Sequence, residues 1–151
     1  MAHHLRRQIR EAAAALLTGL ATTGGHVYAS RVHPLSDGEL PALRIYATEE
    51  TSEPEGINPP DLPKYFERRL TLVIEACAKA GADLDDTLDL IAQEVEVALG
   101  AAPTLSGAAH DSWLSGTEIE FSGEGELPLG VARLSFTVLY ITAATTPDIL
   151  E

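Results

Sequence analysis

Apolar positions recur at three- and four-residue steps through the opening of the chain: Leu5, Ile9, Ala12, Ala13, Leu16, Leu17 and Leu20 share one helical face. Arg6, Arg10 and the pair Arg7 and Glu11 lie opposite. The spacing predicts an amphipathic helix, stopped at Thr22, Thr23, Gly24 and Gly25, because paired glycines accept the backbone angles of a helix end. A short strand is expected from His26 to Val32. After the turn cluster Pro34 to Pro41, Leu43, Ile45 and Ala47 alternate with Arg44 and Tyr46 as a second strand would. From Glu49 to Pro63 the alternation vanishes. Pro54, Pro59, Pro60 and Pro63 stand there among Glu49, Glu50, Glu53, Glu55 and Asp61, which predicts a long, stiff, charged loop.

Period two returns between Tyr65 and Cys77, where Phe66, Leu70, Leu72, Ile74 and Ala76 share one face and Glu67, Arg69, Thr71 and Glu75 the other. This strand is expected to be central. Gly81 ends it, and Asp83 opens a second helix with Leu84, Leu88, Ile91, Val95 and Leu99 at helical spacing. Asp83, Asp85, Asp86 and Asp89 crowd its first turns, where the positive end of the helix dipole favours carboxylates. Gly100 and Pro103 close it. Two more strands follow: Thr117, Ile119 and Phe121 alternate with Glu118 and Glu120, and Leu134, Phe136, Val138 and Tyr140 with Arg133, Ser135 and Thr137. Gly123 to Gly130 reads as a projecting connection between them. Leu139 and Ile141 point away from the Leu134 and Phe136 face and need cover. The element order is helix, three strands, helix, two strands, and with no repeat or change of composition residues 1–151 form a single domain.

Composition then narrows the function. A chain of 151 residues with 45% hydrophobic side chains supports one core without disulfides or metal. Ten Lys and Arg against 23 Asp and Glu leave 10 − 23 = −13, which disfavours gripping nucleic acid by phosphate neutralisation. The charge is also polarised. Arg6, Arg7 and Arg10 form one basic cluster and Lys64, Arg68 and Arg69 another, whereas Ala80 to Ala132 holds eleven acids and no Lys or Arg. Residue by residue these are ordinary solvated faces. Taken together they predict copies of the chain meeting head to side, basic segments of one against acidic segments of the next. The apolar runs are too short for a membrane span. Arginines ahead of an alanine-rich stretch imitate a secretory signal, but Leu5 and Ile9 carry the apolar stripe through those charges.

Candidate chemistry is thin. Asp83, Asp85, Thr87, Asp89 and Glu94 imitate a calcium loop, yet Leu88 stands where such a loop needs glycine. On a strand, the odd spacing of His26 and His33 sends them to opposite faces, so they are poor co-ligands. A lone Cys77 excludes an internal disulfide and a cysteine zinc cluster and fits a reducing compartment. With His110 and Asp111 it nominates a thiol, imidazole and carboxylate set; a small buried hydrophobe is the simpler reading.

The opening Arg6, Arg7, Gln8, Ile9, Arg10 and Glu11, with the Leu43 to Ala47 strand, is similar to the tail terminator (tail completion) proteins of long-tailed phages. The second half resembles that family more closely: Asp83 to Leu99, then Trp113, Leu114, Ser115, Gly116, Thr117, Glu118, Ile119, Glu120 and Phe121, then Gly123, Glu124, Gly125 and the Val131 to Tyr140 strand. The resemblance implies an α+β subunit, two helices on a mixed, mainly antiparallel sheet of four to five strands in the order αβββαββ. It also implies a ring, in that family a hexamer, which caps the tail tube, halts its polymerisation and offers a surface to the head-tail connector. The implied partners are further copies of itself, the major tail tube protein and the connector. The implied place is the virion tail, assembled in the bacterial cytoplasm. No catalysis, cofactor, metal or membrane is implied. DNA would pass through the ring, where an acidic lumen would repel it. Within this reading Glu49 to Pro63 and Gly123 to Gly130 are candidate projections. Arg6, Arg7, Arg10, Glu53, Glu55, Lys64, Arg68, Arg69, Glu124 and Glu126 are candidate interface residues. The alternatives are a small bacterial α+β ligand-binding or regulatory module and, behind it, an enzyme using Cys77 and His110.

Overall fold

The computed structural model describes residues 2–56, 59–122 and 129–151. Helix α1 (Leu5–Leu17) buries Leu5, Ile9, Ala13 and Leu17, the face its spacing marks out. It is capped by His4, whose Nδ1 accepts the Arg6 N–H at 3.1 Å, one of the amides that a helix start leaves unpaired. The helix ends three residues before Leu20. Gly19 at φ +94° and Gly24 at φ +55° shape the following turn, conformations that cost glycine little. The strand expected over His26 to Val32 shrinks to β1 (Val27–Tyr28), because the chain bends away at Ala29 and turns at Arg31 and Val32.

The sheet runs in the order β1-β2-β3-β5-β4, with β2 (Ala42–Pro54), β3 (Tyr65–Lys79), β4 (Asp111–Ser122) and β5 (Leu129–Ala143). Only β1 against β2 is parallel; the other neighbours are antiparallel. The fold is thus α+β, with one five-stranded mixed sheet and two helices on a single face. As the sequence predicts, β3 is the middle strand.

The loop expected from Glu49 to Pro63 is corrected by β2, which continues through Glu49, Glu50, Thr51, Ser52 and Glu53 to Pro54, paired with Phe66 to Thr71 of β3. A bulge between Ala47 and Glu49 shifts the face each residue presents, and this hides the alternation from the sequence. Pro54 ends the ladder from an edge strand, a position that tolerates a residue without an N–H. Likewise β5 begins at Leu129, so the Gly130 end of the expected connection is strand; residues 123–128 lie outside the described residues.

Helix α2 (Leu84–Gly100) lays Leu84, Leu88, Ile91, Val95 and Leu99 on β3 and β5, while α1 packs on β2 and β1 and against α2. Leu43, Ile45, Leu70, Leu72, Ile74, Leu134 and Val138 rise from the sheet into that core, each worth about 1.5–3 kcal/mol when buried. Thr22 ties the helices: its N–H and Oγ1 donate to Glu94 at 2.9 and 2.5 Å. No helix is long and apolar enough to cross a membrane among the described residues.

Candidate functional site

Strand β4 stands at one end of the sheet, past β5, on which α2 packs. Up to Leu114 it is in register with Leu139 to Phe136, a bulge intervenes before Gly116, and Thr117 to Ser122 pair with Leu134 to Leu129. The bulge reverses the parity. Leu114, Thr117, Ile119 and Phe121 therefore all face the helix side, as their partners Phe136, Leu134, Ala132 and Gly130 require. Those partners lie under α2, but Ile119 is 57% exposed and Phe121 63% exposed. Trp113 and Leu114 are exposed as well. Large apolar side chains along an unpaired strand edge are what lone soluble proteins avoid, because such an edge templates association.

The sheet face away from the helices carries a second structure centred on Glu75. Its carboxylate accepts Arg44 Nε at 2.7 Å, Arg133 Nε at 2.8 Å and the Tyr46 hydroxyl at 2.9 Å, and its side chain is 4% exposed. Arg133 continues to Glu120 at 2.6 Å. Burial pushes the Glu75 carboxyl up, but Tyr46, Arg133 and Arg44 outweigh it and hold the carboxyl below its ordinary value. An open cavity of about 490 Å³ runs over this network between Arg31 and Glu118. Arg31 lies over the Tyr46 ring, 5.0 Å from its centroid. Glu75 occupies Arg44 and Arg133, and Arg31 is the lining guanidinium with no carboxylate bound to it among the described residues. Part of the same face is covered by the Ser30 to Pro41 segment. His33 anchors it, stacked on Tyr28 at 3.8 Å and bonded to Glu39 at 2.8 Å, and Arg44 Nη1 adds a bond to the His33 carbonyl at 3.2 Å.

Among the sequence-predicted interface residues Arg68 is buried, while Arg6, Arg7 and Arg69 pair within the chain and stay partly exposed. Arg6 and Arg68 share the Glu50 carboxylate, at 2.7 and 3.3 Å, and the Tyr140 hydroxyl also donates to Glu50. Arg68 further donates from Nε to Thr142 Oγ1 at 3.0 Å. This group pins the start of α1 to β2, β3 and β5. Arg7 pairs with Glu11 at 2.8 Å. Arg69 pairs with Glu67 at 3.1 Å and lies over the Trp113 ring. Glu53 is opposite Glu67 on the exposed end of the β2–β3 hairpin, and Glu55 closes that hairpin with its N–H on the Tyr65 carbonyl at 2.8 Å. The Lys64 carbonyl accepts the Ala144 N–H at 2.8 Å. Arg10 is half-buried on α1, one turn beyond Arg6. Glu124 and Glu126 lie outside the described residues. Sequence reasoning missed Glu50 and Glu75 as hubs; for Glu75 the available signal was an acid at a strand position opposite Arg44 and Arg133, whereas Glu50 stands opposite Leu70.

The thiol and imidazole nominated for nucleophilic chemistry are far apart. Cys77 is in register with Val131, whereas the His110 N–H bonds the Leu139 carbonyl eight positions along β5, roughly 25 Å away. Cys77 is fully buried, and burial foremost, then Glu75, raises its pKa to about 11.

No family model matches the chain, and no curated protein does. Among solved structures it is similar to a chain of the virion of a native gene transfer agent particle. The likeness covers 90% of both chains at 15% identity and a TM-score of 0.36. At that score nothing about function follows from the likeness.

Proposed function

We propose that the chain is a structural subunit of a phage-type tail: a tail terminator that assembles as a ring on the end of the tail tube, stops its growth and presents a surface to the head connector. The observation that carries this reading is β4, a strand edge whose exposed Leu114, Ile119 and Phe121 call for cover by another chain. The resemblance of the Trp113 to Phe121 segment to tail terminators falls on the same strand. An acidic surface with most arginines neutralised internally suits a body through which DNA passes unbound. Native mass spectrometry of the purified chain, alone and mixed with tail tube protein, tests the reading. A closed ring, formed alone or on the tube, is expected; a monomer in both samples contradicts it. Deleting Gly56 to Asp61 should leave a folded monomer that caps tails poorly, and normal capping by the deletion would remove that segment from the contact.

A further inference from the structure

The covering partner of β4 has a chemistry that the strand itself specifies. The Asp111 end is closed by this chain, since the Ser112 N–H donates to Asp111 Oδ1 at 2.9 Å and Ser112 Oγ to the Pro103 carbonyl at 2.7 Å. From Trp113 to Phe121 the outer edge has no strand beside it among the described residues. One side of that stretch shows Leu114, Thr117, Ile119 and Phe121; the other shows Trp113, Glu118 and Glu120. The apolar row lies beside α2. Glu94 marks the flank of α2 that meets the Thr22 turn, so the opposite flank carries the exposed Asp85, Asp89 and Glu96. Leu84 lies against Gly130, which sets the acidic start of α2 next to Phe121.

A second copy of this chain fits that surface badly. Pairing β4 with β4 sets Glu118 and Glu120 against an equally acidic strand. At the other end of the sheet, the free stretch of β2 carries Glu49 and Glu53. Like charges across strands are destabilising. Of the ten Lys and Arg, Arg6, Arg7, Arg44, Arg68, Arg69, Lys79 and Arg133 are bound to carboxylates of their own chain, and the other three, Arg10, Arg31 and Lys64, lie on α1 and in connecting segments, none of them on a free strand edge.

We propose that β4 takes an added strand from a different protein, an extended segment alternating apolar with Lys or Arg residues. Its apolar side chains continue the Leu114, Ile119 and Phe121 row. Its basic ones, on the other side of the sheet, reach Glu118 and the Trp113 ring beside Arg69. This deepens the assembly reading and rests on it only in taking β4 as a contact surface.

Trp113 is the chain's single tryptophan and sits on the proposed seam, so its fluorescence reports occupancy. A short synthetic peptide alternating Lys with Val and Thr is titrated into the full chain, with a peptide carrying Glu in place of Lys as control. A saturable signal with the Lys peptide is expected, weakening as salt rises. Glu118→Lys and Ile119→Lys, both at exposed positions and checked for unchanged melting, should each weaken it about tenfold or more. No response to the Lys peptide, or equal binding of the Glu peptide, overturns the proposal. So does self-association of the chain that Ile119→Lys abolishes. If a ring forms on tube protein while the peptide fails, this inference falls and the tail terminator reading stands; binding without any ring does the reverse.

Discussion

The guanidinium of Arg133 on β5 holds the nearly buried carboxylate of Glu75 on β3 at 2.8 Å. Arg44 approaches the same carboxylate from β2, so one acid fastens the three middle strands on the face away from α1 and α2. Removing one partner of such a group leaves buried charge uncompensated, at a cost of about 3 kcal/mol. Glu75→Ala is expected to lower stability by that amount, a fall in melting temperature of about 10 °C. A urea or thermal melt checks it, and a loss under about 0.5 kcal/mol contradicts the hub.

Acid should expose the same arrangement. Glu75 is held below the ordinary carboxylate value of 4.5, and His33 foremost, with Ser36 and Tyr28, takes Glu39 down to about 2. A carboxyl whose folded pKa is depressed contributes stability that is complete above its unfolded pKa and lost as pH falls through the folded one. Melting temperature should therefore decline only slightly from pH 7 to about 5.5, where burial foremost holds His4 below its ordinary value, and drop steadily below about 4.5. Glu75→Gln should flatten that drop. An unchanged melting temperature down to about pH 3 would contradict the assignment.

Cys77 should behave as packing. With its pKa raised to about 11 and no exposure, it is expected to resist a thiol-labelling reagent at mild alkaline pH and to react once urea unfolds the chain. Rapid labelling of the native protein would contradict this.

Two glycines on the β4–β5 pair separate packing from backbone freedom. A Cβ on Gly130 meets Leu84 Cδ1 at 2.5 Å, whereas one on Gly116 meets nothing within 4 Å. Gly130→Ala should cost about 1–3 kcal/mol by overpacking and Gly116→Ala well under that; equal costs would show that α2 does not press on β5.

Much of the fold is legible in the sequence because one face of each long element is buried. Leu84 to Leu99 keep helical spacing, and Leu134 to Tyr140 alternate strictly, so α2 and β5 are read directly. The end of β2 is not, since the bulge at Ala47 and Glu49 breaks the period and Glu50 is a buried acid in a row of exposed ones. Its reason to be there is Arg6, Arg68 and Tyr140, distant in sequence and brought together only by the sheet. Two of the cations read from charge as interface residues, Arg6 and Arg68, look available in the sequence and are bound to Glu50 in the fold. The β4 surface was half legible. Its alternation marks a strand, but only the sheet order shows that α2 leaves Ile119 and Phe121 uncovered.

Electron microscopy of particles from cells that make this chain, compared with the same cells lacking it, tests the assembly claim most directly. Tails of uncontrolled, excessive length are expected without the chain, restored to uniform length by the wild-type chain and not by Ile119→Lys. Tails of normal length joined to heads in its absence would contradict it.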